Sequence, residues 1–467
     1  MKAVCDLHKP PFGSVIGSMQ RPPITATKPQ LNKLAAFRQA AYECFRKAAD
    51  VLFDLLDALL VTPHPASFPE LSCAPVFRRQ WPSLYAALQD GEVDRAALLE
   101  LYVETLPPSD RPLLVGDHTA WARPQARTLR DRTFEHQPTP IKGQKPITIG
   151  HGYSTLGVVP EAKGSWFLPL LHERIPSETT PSAKAAVQLK QVVGLLWERP
   201  VALYDSEYGS GTFLQATAGL ACDLLFRVRP NRKLRLKPPP YGGHGRPPIH
   251  GPVFRLSDPT TWGPAEAQWQ GEDPDLGPVQ VQRWDEMHFE DASSRLVSLF
   301  RIERPAARGS RRDPRVVWLG WCGEPLPPLQ ETWRDYLRRY VIEHWYRFAN
   351  QSLHWKLPCF ATPEQSELWS LLIVLAGWQL WLARPVAADQ PRPWQKPQMV
   401  LTPGRVHRTM GGILAGIGTP ARAPKPRGKS PGWPRGRVRT KRPRYPVIKK
   451  QPAQAKKQAP AAEKAPP

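Results

Sequence analysis

Two short apolar runs that each stop at an aspartate constrain this chain most. Leu113-Leu114-Val115-Gly116 ends at Asp117, and Val201-Ala202-Leu203-Tyr204 ends at Asp205. Runs of this length read as buried strands, and an acid at the end of such a strand faces the rim of a sheet, where α/β sites are built. Each acid taken alone is equally compatible with a turn or a helix cap. Further strands are expected at residues 147–159, 165–171 and 223–228, with helices at 183–197 and 211–220. Three strands, a helix, a strand, a helix and a strand make an α/β plan with a mixed sheet.

The flanking segments read differently. Residues 1–30 are Pro-rich and irregular. Leu34, Phe37, Ala41, Phe45, Ala48, Leu52, Leu55 and Leu59 recur at three- and four-residue steps, which predicts one helix over 31–61. A second helix is expected over 93–106, so residues 1–110 form a helical N-terminal module in this reading. Pro and Gly then crowd 230–278, and alternating segments follow at 279–284, 296–302 and 316–321. These predict a β-rich insertion over 230–325 that divides a catalytic domain of residues 111–229 and 326–400. Helices return at 331–353 and 362–384, the latter opened by the capping box Thr362-Pro363-Glu364-Gln365. Its apolar run, Leu368 to Ala383, spans 16 residues. That is short of the roughly 20 a membrane crossing needs, so a buried core helix and no membrane partner are expected.

Charge points to the partner. Lys and Arg number 64 against 41 acids, a net charge of +23, which favours a polyanion such as nucleic acid. Residues 421–467 hold 15 Lys and Arg and one acid, Glu463, with almost no apolar residues. A disordered tail that binds phosphate without sequence preference is expected. Proline is 56 of 467 residues, which excludes an all-helical bundle, while 17 Trp and a 41% hydrophobic share exclude a wholly disordered chain. The six cysteines are scattered with no close pair, so no zinc site or disulfide framework is visible, as suits a reducing cytosol. Arg427-Gly428-Lys429-Ser430 has the end of a phosphate-binding loop, but Ala423 stands where its first glycine is required.

A third acid, Glu343, lies in a helical pattern. Tyr336, Arg339, Glu343 and Arg347 are spaced by three, four and four residues and share one face, beside an apolar stripe of Leu337, Val341, Trp345 and Phe348. Alone, Arg339 and Glu343 read as an ordinary ion pair one turn apart. Tyr-x-x-Arg-x-x-x-Glu downstream of two strand-end aspartates resembles the cut-and-paste DDE transposases of bacterial insertion sequences. The resemblance covers roughly 112–381 and includes Asp205-Ser206-Glu207-Tyr208-Gly209, the run Phe226 to Lys233, and Gly245-Arg246-Pro247. The family often carries Lys seven residues after the Glu; this chain has Asn350.

The resemblance implies an RNase H-like catalytic domain in which Asp117, Asp205 and Glu343 bind two Mg²⁺ or Mn²⁺ ions. Carboxylates are hard oxygen ligands suited to those cations. It implies cleavage of double-stranded DNA at the ends of a mobile element, joining of the 3′ ends to target DNA, a homodimer in the DNA complex, and a cytoplasmic location at the bacterial nucleoid. Arg339 would grip a phosphate through its fork, Tyr336 would position a strand end, and Arg347, Arg229, Arg232 and Lys233 would contact DNA. His118 is a candidate neighbour of the site. Lys33, Arg38, Arg46 and Lys47 lie off the apolar stripe of their helix and are candidates for recognising the element ends. A nuclease or resolvase without strand transfer, and a non-catalytic DNA-binding descendant of a transposase, share these features.

Overall fold

The computed structural model describes residues 28–137, 146–310, 313–426, 432, 434, 436–438 and 440–450. The chain begins with α1 (Lys28–Glu43), a short strand β1 (Phe45–Lys47) and α2 (Ala49–Val61). The single helix expected over 31–61 is therefore broken. Ala48 adopts a left-handed conformation (φ 57°), and β1 pairs with β2 (Glu92–Val93), between α3 (Pro82–Asp90) and α4 (Arg95–Glu104). The break lets α2 bury leucines on nearly all sides, which a straight continuation of α1 would not allow. Arg38, expected on a solvated face, is 1% exposed; its guanidinium binds Asp57 (2.8 Å) and Gln379. Arg46 and Lys47 are exposed and pair with Asp94 and Glu92.

Next come β3 (Leu113–Ala122), β4 (Thr133–His136), β5 (Ile147–Val158) and β6 (Leu168–Ile175), then α5 (Pro181–Val193), β7 (Val201–Tyr204), α6 (Gly211–Ala216) and β8 (Asp223–Val228). Strands β6, β5 and β3 are antiparallel neighbours, and β3, β7 and β8 run parallel, giving the order β6-β5-β3-β7-β8. The two parallel steps need crossovers, and α5 and α6 supply them. α5 starts under a Thr180 cap and α6 under a Ser210 cap.

The β-rich segment supplies a small pair, β9 (Lys233–Arg235) and β10 (Val253–Arg255), then β11 (Ala267–Asp273), β12 (Gly277–Met287), β13 (Val297–Glu303) and β14 (Val316–Cys322). β14 pairs antiparallel with β8, so β11 to β14 extend the central sheet to ten strands.

The helix expected over 331–353 is two helices, α7 (Leu329–Leu337) and α8 (Val341–Gln351), joined by a tighter 3₁₀ turn at Arg338–Tyr340. The turn rotates the faces. Leu337, expected in the docking stripe, is exposed, while Ile342, Trp345 and Ala349 are buried. α9 (Pro363–Ala383) is 21 residues, longer than its apolar run, because Gln365, Ser366 and Gln379 are buried with it. The span Pro363–Val386 is long and apolar enough to cross a membrane by length and composition, but 83% of its 18-residue apolar window is buried inside the protein. Trp378 stacks on Tyr102 (5.2 Å) and Phe37 (6.3 Å), so α1 and α4 close over α9. α10 (Pro403–His407) and α11 (Met410–Ile417) follow.

The expected free tail is corrected for residues 440–450, which dock against β4. Backbone amides of Tyr445 and Ile448 donate to Arg127 (2.9 Å) and Arg132 (2.8 Å), satisfying groups at an open sheet edge. Of the rest of the expected tail, residues 427–431, 433, 435, 439 and 451–467 lie outside the described residues, as do residues 1–27.

At the start of β8, Asp223 is 0% exposed. It accepts from Arg199 Nη2 (2.7 Å), Arg111 Nη2 (2.6 Å) and the Glu324 amide (3.2 Å), tying three loops below the sheet. Asp223→Ala removes the shared acceptor of two half-exposed guanidiniums and one amide, and losing such charged hydrogen bonds costs about 2 kcal/mol. A urea titration of the variant is expected to show a loss of that order.

Candidate active site

The β3–β7 ladder pairs Leu113 with Val201, Leu114 with Ala202 and Val115 with Leu203. Asp117 and Asp205 lie two residues beyond the last pair in the same register, on strands ~4.8 Å apart. The ladder needs Gly116: a Cβ there would sit 2.1 Å from the ring of Tyr204, which packs across the strand. Asp117 Oδ1 accepts from the His118 amide (2.8 Å). Asp205 Oδ1 accepts from the Glu207 amide (2.9 Å), and the Asp205 carbonyl accepts from the Tyr208 amide, which turns the chain toward α6. Gly209 is required next, since a Cβ would meet the Arg227 carbonyl at 2.3 Å.

Arg339, in the 3₁₀ turn, is 7% exposed. Its Nη1 donates to Asp117 Oδ2 (3.2 Å) and its Nη2 to Glu343 Oε1 (3.3 Å). Rings of Tyr336 and Tyr340 flank the guanidinium at 5.8 and 5.3 Å. Burial pushes the Asp117 carboxyl up to about 6; Arg339 opposes this and Asp205 adds to it. Burial disfavours the charge on Arg339, but Tyr336 and then Asp117, Asp205 and Glu343 raise its pKa above the ordinary arginine value. α8 is fixed beneath by Tyr346, which donates to Thr155 Oγ1 (2.8 Å), and Thr155 lies opposite Asp117 in the β3–β5 ladder.

The structure thus brings Asp117 and Asp205 together and holds Glu343 across a guanidinium from Asp117. Asp117 and Glu343, 226 positions apart in the sequence, therefore meet on the two nitrogens of one guanidinium, beside Asp205. Among the described residues, no group of three His, Cys, Asp or Glu side chains is arranged to hold a metal ion. Arg339 lies between two of the acids and supplies a neutralising charge. The Glu343 side chain is 50% exposed, so it is free to leave Arg339.

Tyr336 is 6% exposed and faces Arg339, so its ring is part of the core and not open to a base. Arg347 is exposed one turn beyond Glu343. Arg229, Arg232 and Lys233 are exposed past the end of β8, beside the Asp205 turn, and Lys233 pairs with Glu290 (3.1 Å). Asn350 is partly buried, and Lys356 places its ammonium over the Trp355 ring (4.9 Å). His118 does border the site: its Nε2 is 3.6 Å from Glu207 Oε2 and its Nδ1 3.4 Å from Tyr208 Oη. Thr155 and Tyr346 escaped the sequence reading, because a hydroxyl pair between a strand and a distant helix leaves no spacing signal.

Residues 41–288 match the family described as DDE superfamily endonuclease, and the chain belongs to it. That span holds Asp117 and Asp205 and stops before Glu343. Endonucleases of this superfamily act on DNA and generally depend on divalent metal. No curated protein matches the chain.

A pH dependence follows from Asp117. Its folded-state carboxyl titrates at about 6 against 3.8 ordinarily, so the folded protein holds that proton more tightly. The stability gained is complete below pH ~4, declines as pH rises, and is lost above pH ~6, an effect of about 3 kcal/mol. Thermal melts without divalent metal are expected to fall over this window in the wild type, and much less in Asp117→Asn.

Proposed function

We propose that this protein is a transposase with an RNase H-like catalytic domain, which cleaves DNA at the ends of a mobile element and joins the 3′ ends to target DNA. The observation that carries the reading is the in-register pair Asp117 and Asp205, linked through Arg339 to a glutamate on a separate helix. The order β6-β5-β3-β7-β8, antiparallel then parallel, supports the RNase H-like assignment.

Two adjacent carboxylates, one of them reluctant to ionise, fit hard divalent cations such as Mg²⁺ or Mn²⁺. Asp117 and Asp205 would hold the cation, with Glu343 completing the set once it leaves Arg339. When bound, two such ions activate a water or 3′-hydroxyl and stabilise the leaving oxygen in an in-line displacement at phosphorus. Arg339, released from the acids, offers its fork to a phosphate, held in place by Tyr336 and Tyr340. Arg347, Arg229, Arg232 and Lys233 would grip the flanking backbone. Action on paired ends favours a homodimer in the DNA complex, at the bacterial nucleoid in the cytoplasm.

The test is cleavage and joining of duplexes carrying the element's own terminal DNA, with Mg²⁺ or Mn²⁺ present. Asp117→Asn, Asp205→Asn and Glu343→Gln are each expected to lower cleavage by orders of magnitude while DNA binding persists. Arg339→Gln is expected to impair strand joining more than metal affinity. Cleavage without joining would reduce the reading to a nuclease, and full activity in the acid variants would overturn it.

A further inference from the structure

Residues 440–450 carry Lys441, Arg442, Arg444, Lys449 and Lys450 and no acid. They are not loose. Ile448 bridges Thr133 of β4 in parallel, Arg132 Nη2 donates to the Tyr445 carbonyl (3.2 Å), and Lys450 Nζ binds Glu135 Oε1 (2.9 Å). Glu135 is buried on β4, and its Oε1 accepts from Thr133 and from this lysine. A buried carboxylate needs such a partner, so the segment's last lysine is part of the sheet's own chemistry. Lys441, Arg442, Arg444 and Lys449 remain exposed. The acids nearby are already paired: Asp131 with Arg174, and Glu364 with Arg130.

We propose that the docked 440–450 segment forms, with β4, a fixed phosphate-binding ridge for duplex DNA that runs on from the cleavage site. This deepens the reading of the protein as a DNA-acting enzyme and rests on it. The sheet sets the spacing. Ala122, five residues past Asp117 on β3, pairs with Gly150, Gly150 with Thr133, and Thr133 with Ile448. Five residues along a strand cover ~17 Å and three ladder steps ~14 Å, so the ridge lies ~22 Å from the catalytic acids. That corresponds to about six or seven base pairs of duplex at ~3.4 Å each. Fixed cations at that offset hold one stretch of backbone in register, whereas a free tail would spread its charge over many phosphates.

The experiment uses the full chain, a mixed-sequence 40-bp duplex for affinity, and a duplex with a defined cleavage position for hydroxyl-radical footprinting. Replacing Lys441, Arg442, Arg444 and Lys449 together by Gln changes only exposed side chains. The slope of log affinity against log salt is expected to flatten by about 3, and protection about six or seven base pairs from the cut should vanish. An unchanged slope and footprint would overturn the proposal. A second variant scrambles residues 440–450, keeping the charges and losing the docking register. It is expected to keep most of the salt slope and lose the localised protection. If it gives the wild-type footprint, the segment acts as a free polycation and the ridge is wrong. If the wild-type chain neither binds nor cuts DNA, the broader functional reading fails first, so the two failures are distinguishable.

Discussion

A single guanidinium holds this site together. Parallel pairing of β3 and β7 puts two aspartates side by side, and neighbouring carboxylates in a poorly solvated cleft raise one another's energy. Arg339 answers that repulsion, and everything around it serves to put it there. The 3₁₀ turn swings it inward, two tyrosine rings flank it, and Glu343 takes its second nitrogen. A charge so placed is a counterion to two acids that lie on different elements of the fold.

The β-rich segment contributes to the same placement. Arg334 of α7 donates to Asp273 (2.9 Å) at the end of β11, so the outer hairpin braces the helix that leads into the turn. Asp273 also accepts the amides of Asp275 and Leu276, which shape the hairpin's own bend. Because β14 continues the central sheet from β8, this brace is anchored to the strands that carry the aspartates. The segment that reads as an insertion in the sequence is a structural arm of the site.

Much of this was legible beforehand, for identifiable reasons. The strand-end aspartates and the succession of strands and helices around them follow from apolar runs whose length and punctuation are local properties. The capping box before α9 is local too, and the helix begins where it predicts. What escaped depended on partners far along the chain. A run of helical periodicity cannot report that Ala48 turns left-handed to let β1 meet β2, nor that Arg38 finds Asp57 and Gln379 in the interior. The tail's composition spoke for disorder, and only the exposed edge of β4 and the buried Glu135 give 440–450 a place to lie. The spacing of Arg339 and Glu343 announces their ion pair, but not that Asp117 takes the other nitrogen of the same guanidinium.

The contact between Arg38 and Gln379 spans 341 residues of chain. α1 and α2 bury their leucine and phenylalanine faces against α9, which the ribosome makes near the end. At about 5 to 20 residues per second, translation leaves those faces without their partner for roughly 20 to 70 s. During that interval the leucines that α2 buries in the finished protein have no α9 to lie against. The exposure of those faces is set by the order of synthesis, a quantity separate from the stability of the finished fold.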